Sequence, residues 1–174
     1  MNQHDARRLP ASLVPPVLAG WLAYLVIDFL MHAVLLVPWW RVTESYWLPP
    51  EALFRRIPYA YLAFAIYVAC LMWLLVRLFG SRPTMRSSLC LGAIAGVLFG
   101  SASVLATYSV FPMPRSSLLV WPASATVASL GGAAAGGWTL AAAKPWKRVL
   151  IILLSAIALF IIGVLLQNGL PARS

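Results

Sequence analysis

Apolar residues run along the chain in five long blocks, about 14–38, 57–79, 88–111, 121–143 and 149–167, separated by clusters of charge, proline and aromatic residues. At about 1.5 Å of rise per residue the first block reaches about 37 Å as a helix, enough to cross a hydrocarbon core of about 30 Å with some tilt. The pattern predicts an all-α fold, a polytopic transmembrane helix bundle with one integral membrane domain over 1–174. Five spans are expected; four follow if 121–143, the least apolar, does not cross.

The breaks have recognisable chemistry. Gly80 to Arg86 makes a short basic loop, and Lys144, Pro145, Lys147 and Arg148 make another. Pro112, Pro114 and Arg115 end the third block, and Pro122 is expected in the first turn of the fourth, where a missing N–H costs nothing. Residues 39–56 form an interfacial aromatic segment. Trp39, Trp40, Tyr46 and Trp47 are its expected anchors, because amphipathic rings settle at headgroup level, and Arg41, Glu44, Glu51, Arg55 and Arg56 accompany them. Pro49 and Pro50 followed by Glu51 predict a short surface helix. The polar start carries Arg7 and Arg8, but the block behind it is too long for a signal-peptide core and contains Asp28, so it reads as a retained first helix.

Composition sharpens the class. Apolar residues make up 62% of the 174 and charged ones 10%, against about 25% charged in soluble domains, which excludes a small water-soluble globule. The net charge of +9 lies between apolar blocks. It therefore reads as a topology signal and a contact for membrane lipids, not as a nucleic-acid surface. Eight Lys and Arg fall on the N-terminal side of five spans and five on the other, which predicts a multi-pass protein of the cell inner (plasma) membrane. Its N-terminus is then cytoplasmic and its C-terminus on the opposite side. Cys70 and Cys90 lie in spans at different depths, too far apart to bridge. No internal repeat relates the helices.

Small residues form two stripes. Gly92, Gly96 and Gly100 recur every four residues in the third helix, continued by Ser103 and Thr107; the fourth carries Ala125, Ser129, Gly132 and Gly136. Lipid gives no hydrophobic drive between helices, so close backbone approach has to hold them. The stripes predict a tight hairpin of glycine-zipper type. GAIAGVLFGSASVLATYSVFP and, after a short loop, WPASATVASLGGAAAGGW resemble the second half of small four-helix bacterial membrane proteins, whose first half matches residues 18 to 80 in outline. The resemblance covers about two thirds of the chain and implies a helical membrane bundle, with no activity or site residue attached. The fifth helix departs from the four-helix pattern.

Asp28 is the one acid inside a span, about 21 Å from the start of the first helix. His32 follows one turn later on the same face, with Trp21 and Tyr24 ahead of it at helical spacing. A carboxylate at a helix centre costs about 2.5–3.5 kcal/mol on insertion scales and so calls for an interior position and a partner. Matching depths across antiparallel helices places Tyr67, Ser101, Ser103 and Ser129 near Asp28, and Tyr61, Thr107 and Thr126 near His32. These groups predict an intramembrane polar site of Asp28, His32, Tyr24, Tyr67, Ser103, Thr107 and Ser129.

The counts exclude much chemistry. Two histidines, His4 and His32, cannot supply a di-iron cluster, one membrane aspartate cannot form an aspartyl dyad, and neither a zinc-protease HExxH nor a phosphate loop occurs. No catalytic residue, metal or cofactor is expected. The expected function is a non-enzymatic membrane protein, either a small transporter or permeation unit using Asp28 and His32 or an accessory subunit. Its expected partners are lipids, another membrane protein or a second copy. The alternative is a membrane enzyme acting on lipid or quinone at the aromatic segment, with Glu44, Glu51 or Asp28 as acid or base.

Overall fold

The computed structural model describes residues 12–42 and 48–169. Helix α1, Val14–Leu30, continues into one π-helical stretch, Met31–Leu35. After it come α2 (Val37–Val42), α3 (Pro50–Phe79), α4 (Met85–Val110), α5 (Ser117–Leu140) and α6 (Pro145–Gly169), with no strand among the described residues. Five helices, all but α2, are long and apolar enough to cross a membrane, so the fold is an all-α bundle compatible with an integral membrane protein. Consecutive spans alternate in direction. Ser12 and the α3–α4 and α5–α6 turns therefore share one face, called here the first face, and the α2 region, the α4–α5 turn and Gly169 share the second.

Helix ends follow local chemistry. Thr84 caps α4, its hydroxyl accepting from the Ser87 N–H at 3.1 Å. Gly80 closes α3 at φ 79°, a conformation that side chains disfavour. Two boundaries differ from expectation. The surface helix expected at Pro49–Pro50 and the span expected from Ile57 are one helix of 30 residues, with Pro58 inside it. Glu51, Ala52, Leu53, Arg55 and Arg56 are strong helix formers, which carry the helix through a proline that removes one hydrogen bond. Helix α5 likewise starts at Ser117, four residues earlier than expected, so Pro122 sits past its first turn.

Helix α5 occupies the centre, packed along α4 on one side and α1 on the other. Helix α3 leans on α1, α4 and α5, and α6 lies outside against α1. The arrangement reverses that of a soluble protein: α5, the least apolar span, is the most buried, and α6, the most apolar, the least. Lipid solvates Ile and Leu as well as a protein core does, whereas glycine and alanine let backbones meet. Tyr24, Val68, Leu71, Met72, Leu75, Ala128 and Ala133 form the core cluster.

Candidate intramembrane polar site

The glycine stripes fix where the polar groups stand. A Cβ built on Gly92 would lie 2.8 Å from Ala133 Cβ and from the Ser129 carbonyl oxygen, one on Gly96 would lie 2.6 Å from Thr126 Cα, and one on Gly100 2.7 Å from Pro122 Cα. All three contacts are with α5, so α4 and α5 approach closely along this stripe. Gly132 and Gly136 differ from expectation in their partners. Gly132 meets Gly20 and Tyr24 of α1, and Gly136 meets Pro16 of α1 and Met72 of α3. The run GGAAAGG is small on several sides because α1, α3 and α4 all meet α5 there.

Space left by Gly96 is filled by the Ser129 side chain, whose Oγ is 3.0 Å from where a Cβ would stand. From there Ser129 shares a 2.8 Å hydrogen bond with the Tyr67 hydroxyl of α3. The Tyr67 ring stacks on Phe99 of α4 at 4.4 Å and meets Tyr24 of α1 edge-on at 5.8 Å. Tyr24, Tyr67 and Ser129 are thus one cluster joining α1, α3 and α5, and Tyr24 is fully enclosed.

Asp28 stands on the next turn of α1, toward the second face, and His32 follows it one turn on, in the π-helical stretch that continues the helix. Imidazole Nδ1 of His32 is 2.8 Å from the main-chain oxygen of Asp28 and 3.3 Å from its Oδ1. A carbonyl oxygen only accepts, so the ring carries its proton on Nδ1. His32 is the second residue of the π-helical stretch, where the Leu36 N–H reaches back five residues to the Met31 oxygen at 2.8 Å. Such wide turns interrupt the α ladder and recur at functional sites. Neither side chain is enclosed, with His32 keeping 31% and Asp28 23% of its surface.

The remaining expected members are placed elsewhere. Thr107 donates to the main-chain oxygen of Ser103 at 2.9 Å, within α4, and both are half-buried. Among the described residues no hydrogen bond joins either of them to Tyr67 or Ser129. Of the expected anchors, Trp39 on α2 donates from Nε1 to Ser116 Oγ at 3.0 Å, tying the α2 segment to the start of α5. The Trp40 side chain, Glu44, Tyr46 and Trp47 lie outside the described residues. Cys70 and Cys90 are free and exposed.

Three features have no signature in the hydrophobic pattern: the π-helical stretch, the Trp39–Ser116 tie, and the role of Gly20. The pair Ala19–Gly20 was the available signal for the last, being the small-residue step of α1 that lets α5 approach. Comparison with protein-family models, with curated proteins and with solved structures yields no match. The class rests on the fold itself, a five-helix membrane bundle with an ionisable pair in its first span.

Proposed function

We propose that the chain is a non-enzymatic accessory subunit of a membrane assembly, in which Asp28 and His32 engage a polar group of another membrane segment. That segment belongs to a partner protein or to a second copy. In this reading the protein is multi-pass in the cell inner (plasma) membrane, with a cytoplasmic N-terminus and the C-terminus across the membrane. The observation that carries it is the exposure of the pair. Ionisable groups inside a membrane are paired or face a protein or water-filled interior, yet about a quarter of the Asp28 side chain is open at a depth where the surroundings are hydrocarbon.

A small carrier or permeation unit would draw on the same pair. It needs a route to the first face, and there Val68, Leu71, Met72 and Leu75 fill the core, none more than 2% exposed. That packing supports the subunit reading. The test has two arms. A photo-crosslinking residue at Leu25, on the same side of α1 as the pair, should capture a membrane protein or a second copy in native membranes, and Asp28→Leu should abolish the product. Proteoliposomes of purified protein should show no proton flux above the Asp28→Asn variant. An Asp28-dependent flux would replace the subunit reading with the carrier.

A further inference from the structure

A second feature lies on the same helix as the pair but in the other half of the membrane. Leu13, Val14, Val17, Leu18 and Trp21 of α1 and its entry face Ala65 of α3 across an open groove of about 360 Å³, within the range of about 300–1,000 Å³ usual for small-molecule sites. Every lining residue is apolar but for the indole N–H of Trp21, and that donates to the Tyr61 main-chain oxygen at 3.1 Å. From Leu13 to Trp21 the groove runs about 12 Å along the helix axis. That is under half the hydrocarbon thickness of about 30 Å, so the groove belongs to the leaflet of the first face.

Charge tells what belongs there. Pro16 and Met72 meet at Gly136, and Gly20 meets Val68, so Leu13 at the mouth of the groove is level with Leu75 and Arg77 stands just beyond it. Ala65, Ala69, Trp73 and Arg77 are successive members of one i+4 ridge of α3, which leads from the floor of the groove to the headgroup level. The Arg77 guanidinium lies over the Trp73 ring, 5.7 Å from its centroid, which holds the charge beside the ridge. Around it on the first face are Arg82, Arg86, Lys144, Lys147 and Arg148. The only acids among the described residues, Asp28 and Glu51, lie deep in α1 and at the second face.

We propose that this groove and Arg77 form a site for one anionic phospholipid, an acyl chain lying against Val17, Trp21 and Ala65 and the phosphate paired with Arg77. The site does not depend on the subunit reading. An apolar trough confined to one leaflet takes a chain, and a basic face with no acid among its described residues selects the headgroup. One Arg at the membrane surface contributes enough for roughly a fivefold preference.

Native mass spectrometry of the full chain released from nanodiscs of equal phosphatidylglycerol and phosphatidylcholine tests this. The wild type should retain one lipid, phosphatidylglycerol over phosphatidylcholine by about fivefold. Arg77→Gln, on an exposed side chain outside the core, should still hold a lipid but bring the ratio near one. Ala65→Phe should fill the groove floor and remove the retained lipid while the thermal midpoint stays as in wild type. An equal ratio in the wild type, or a ratio unchanged in Arg77→Gln, overturns the headgroup assignment even where Ala65→Phe fails to fold. A lipid-free monomer overturns the site and leaves the groove to residues 1–11. A lipid-free dimer overturns it in favour of a second copy.

Discussion

Gly96 of α4 and Ser129 of α5 share one space: a Cβ on Gly96 would stand 2.9 Å from Ser129 Cβ and 2.6 Å from Thr126 Cα. The second contact is with main chain, which no rotamer change relieves. Gly96→Ala should therefore force the hairpin apart, costing about 1–3 kcal/mol as overpacking does. Gly132→Ala should cost less, because its nearest neighbour, the Gly20 carbonyl oxygen, is 3.1 Å away and α1 can shift by a few tenths of an ångström. Leu153→Ala on the exposed side of α6 should change stability by about 0.5 kcal/mol or less. Thermal unfolding in one detergent should rank the three in that order, and equal midpoints for Gly96→Ala and Leu153→Ala would disprove the tight hairpin.

The Tyr67–Ser129 bond crosses from α3 to α5 in a medium without water. Measured couplings of this kind average about 0.6 kcal/mol and reach about 1.7, because a freed serine finds a carbonyl of its own helix. Tyr67→Phe and Ser129→Ala should each destabilise by that order, and the double variant by no more than the larger single effect plus a few tenths. A double-mutant cycle by denaturant titration measures the coupling. Strict additivity would mean that the 2.8 Å contact contributes nothing.

The spans were readable because length and apolarity alone identify a membrane helix, whatever its neighbours. What the sequence could not convey is which neighbour each face meets. Gly92 and Gly132 belong to equally plausible small stripes, yet one serves α4–α5 and the other α5–α1, a distinction set by how five helices arrange around α5. Depth matching places Tyr67 and Ser129 level with Asp28, whereas the two share a hydrogen bond a turn short of it, beside Tyr24. The π-helical stretch at His32 leaves no mark in MHAVL. One extra residue in a turn is a response to packing, not to propensity.

The proposed topology rests on six bases on the first face among the described residues, Arg77, Arg82, Arg86, Lys144, Lys147 and Arg148, since positive loops tend to stay cytoplasmic. Reporter fusions after residues 84 and 143 should report the cytoplasm, and fusions after 114 and 174 the opposite side. Residue 143 is the informative point, lying between the most and the least buried spans. A cytoplasmic signal at both 143 and 174 would mean that α6 does not cross.

Asp28→Asn separates charge from shape at the polar site. The shorter bond of His32 is made to the Asp28 main-chain oxygen at 2.8 Å and not to the carboxylate at 3.3 Å, so the substitution leaves it in place and keeps an oxygen near Nδ1. The variant should match the thermal midpoint of the wild type to within about 0.5 kcal/mol of stability. Nitrogen-15 spectra of the imidazole should show the proton on Nδ1 in both proteins, since the acceptor that selects that tautomer is backbone. What the variant loses is the carboxyl group offered to a partner segment, and with it the crosslink from Leu25 should weaken at unchanged stability. A loss of about 2 kcal/mol or more, with the crosslink intact, would show instead that the carboxylate holds α1 together and that the partner does not read it.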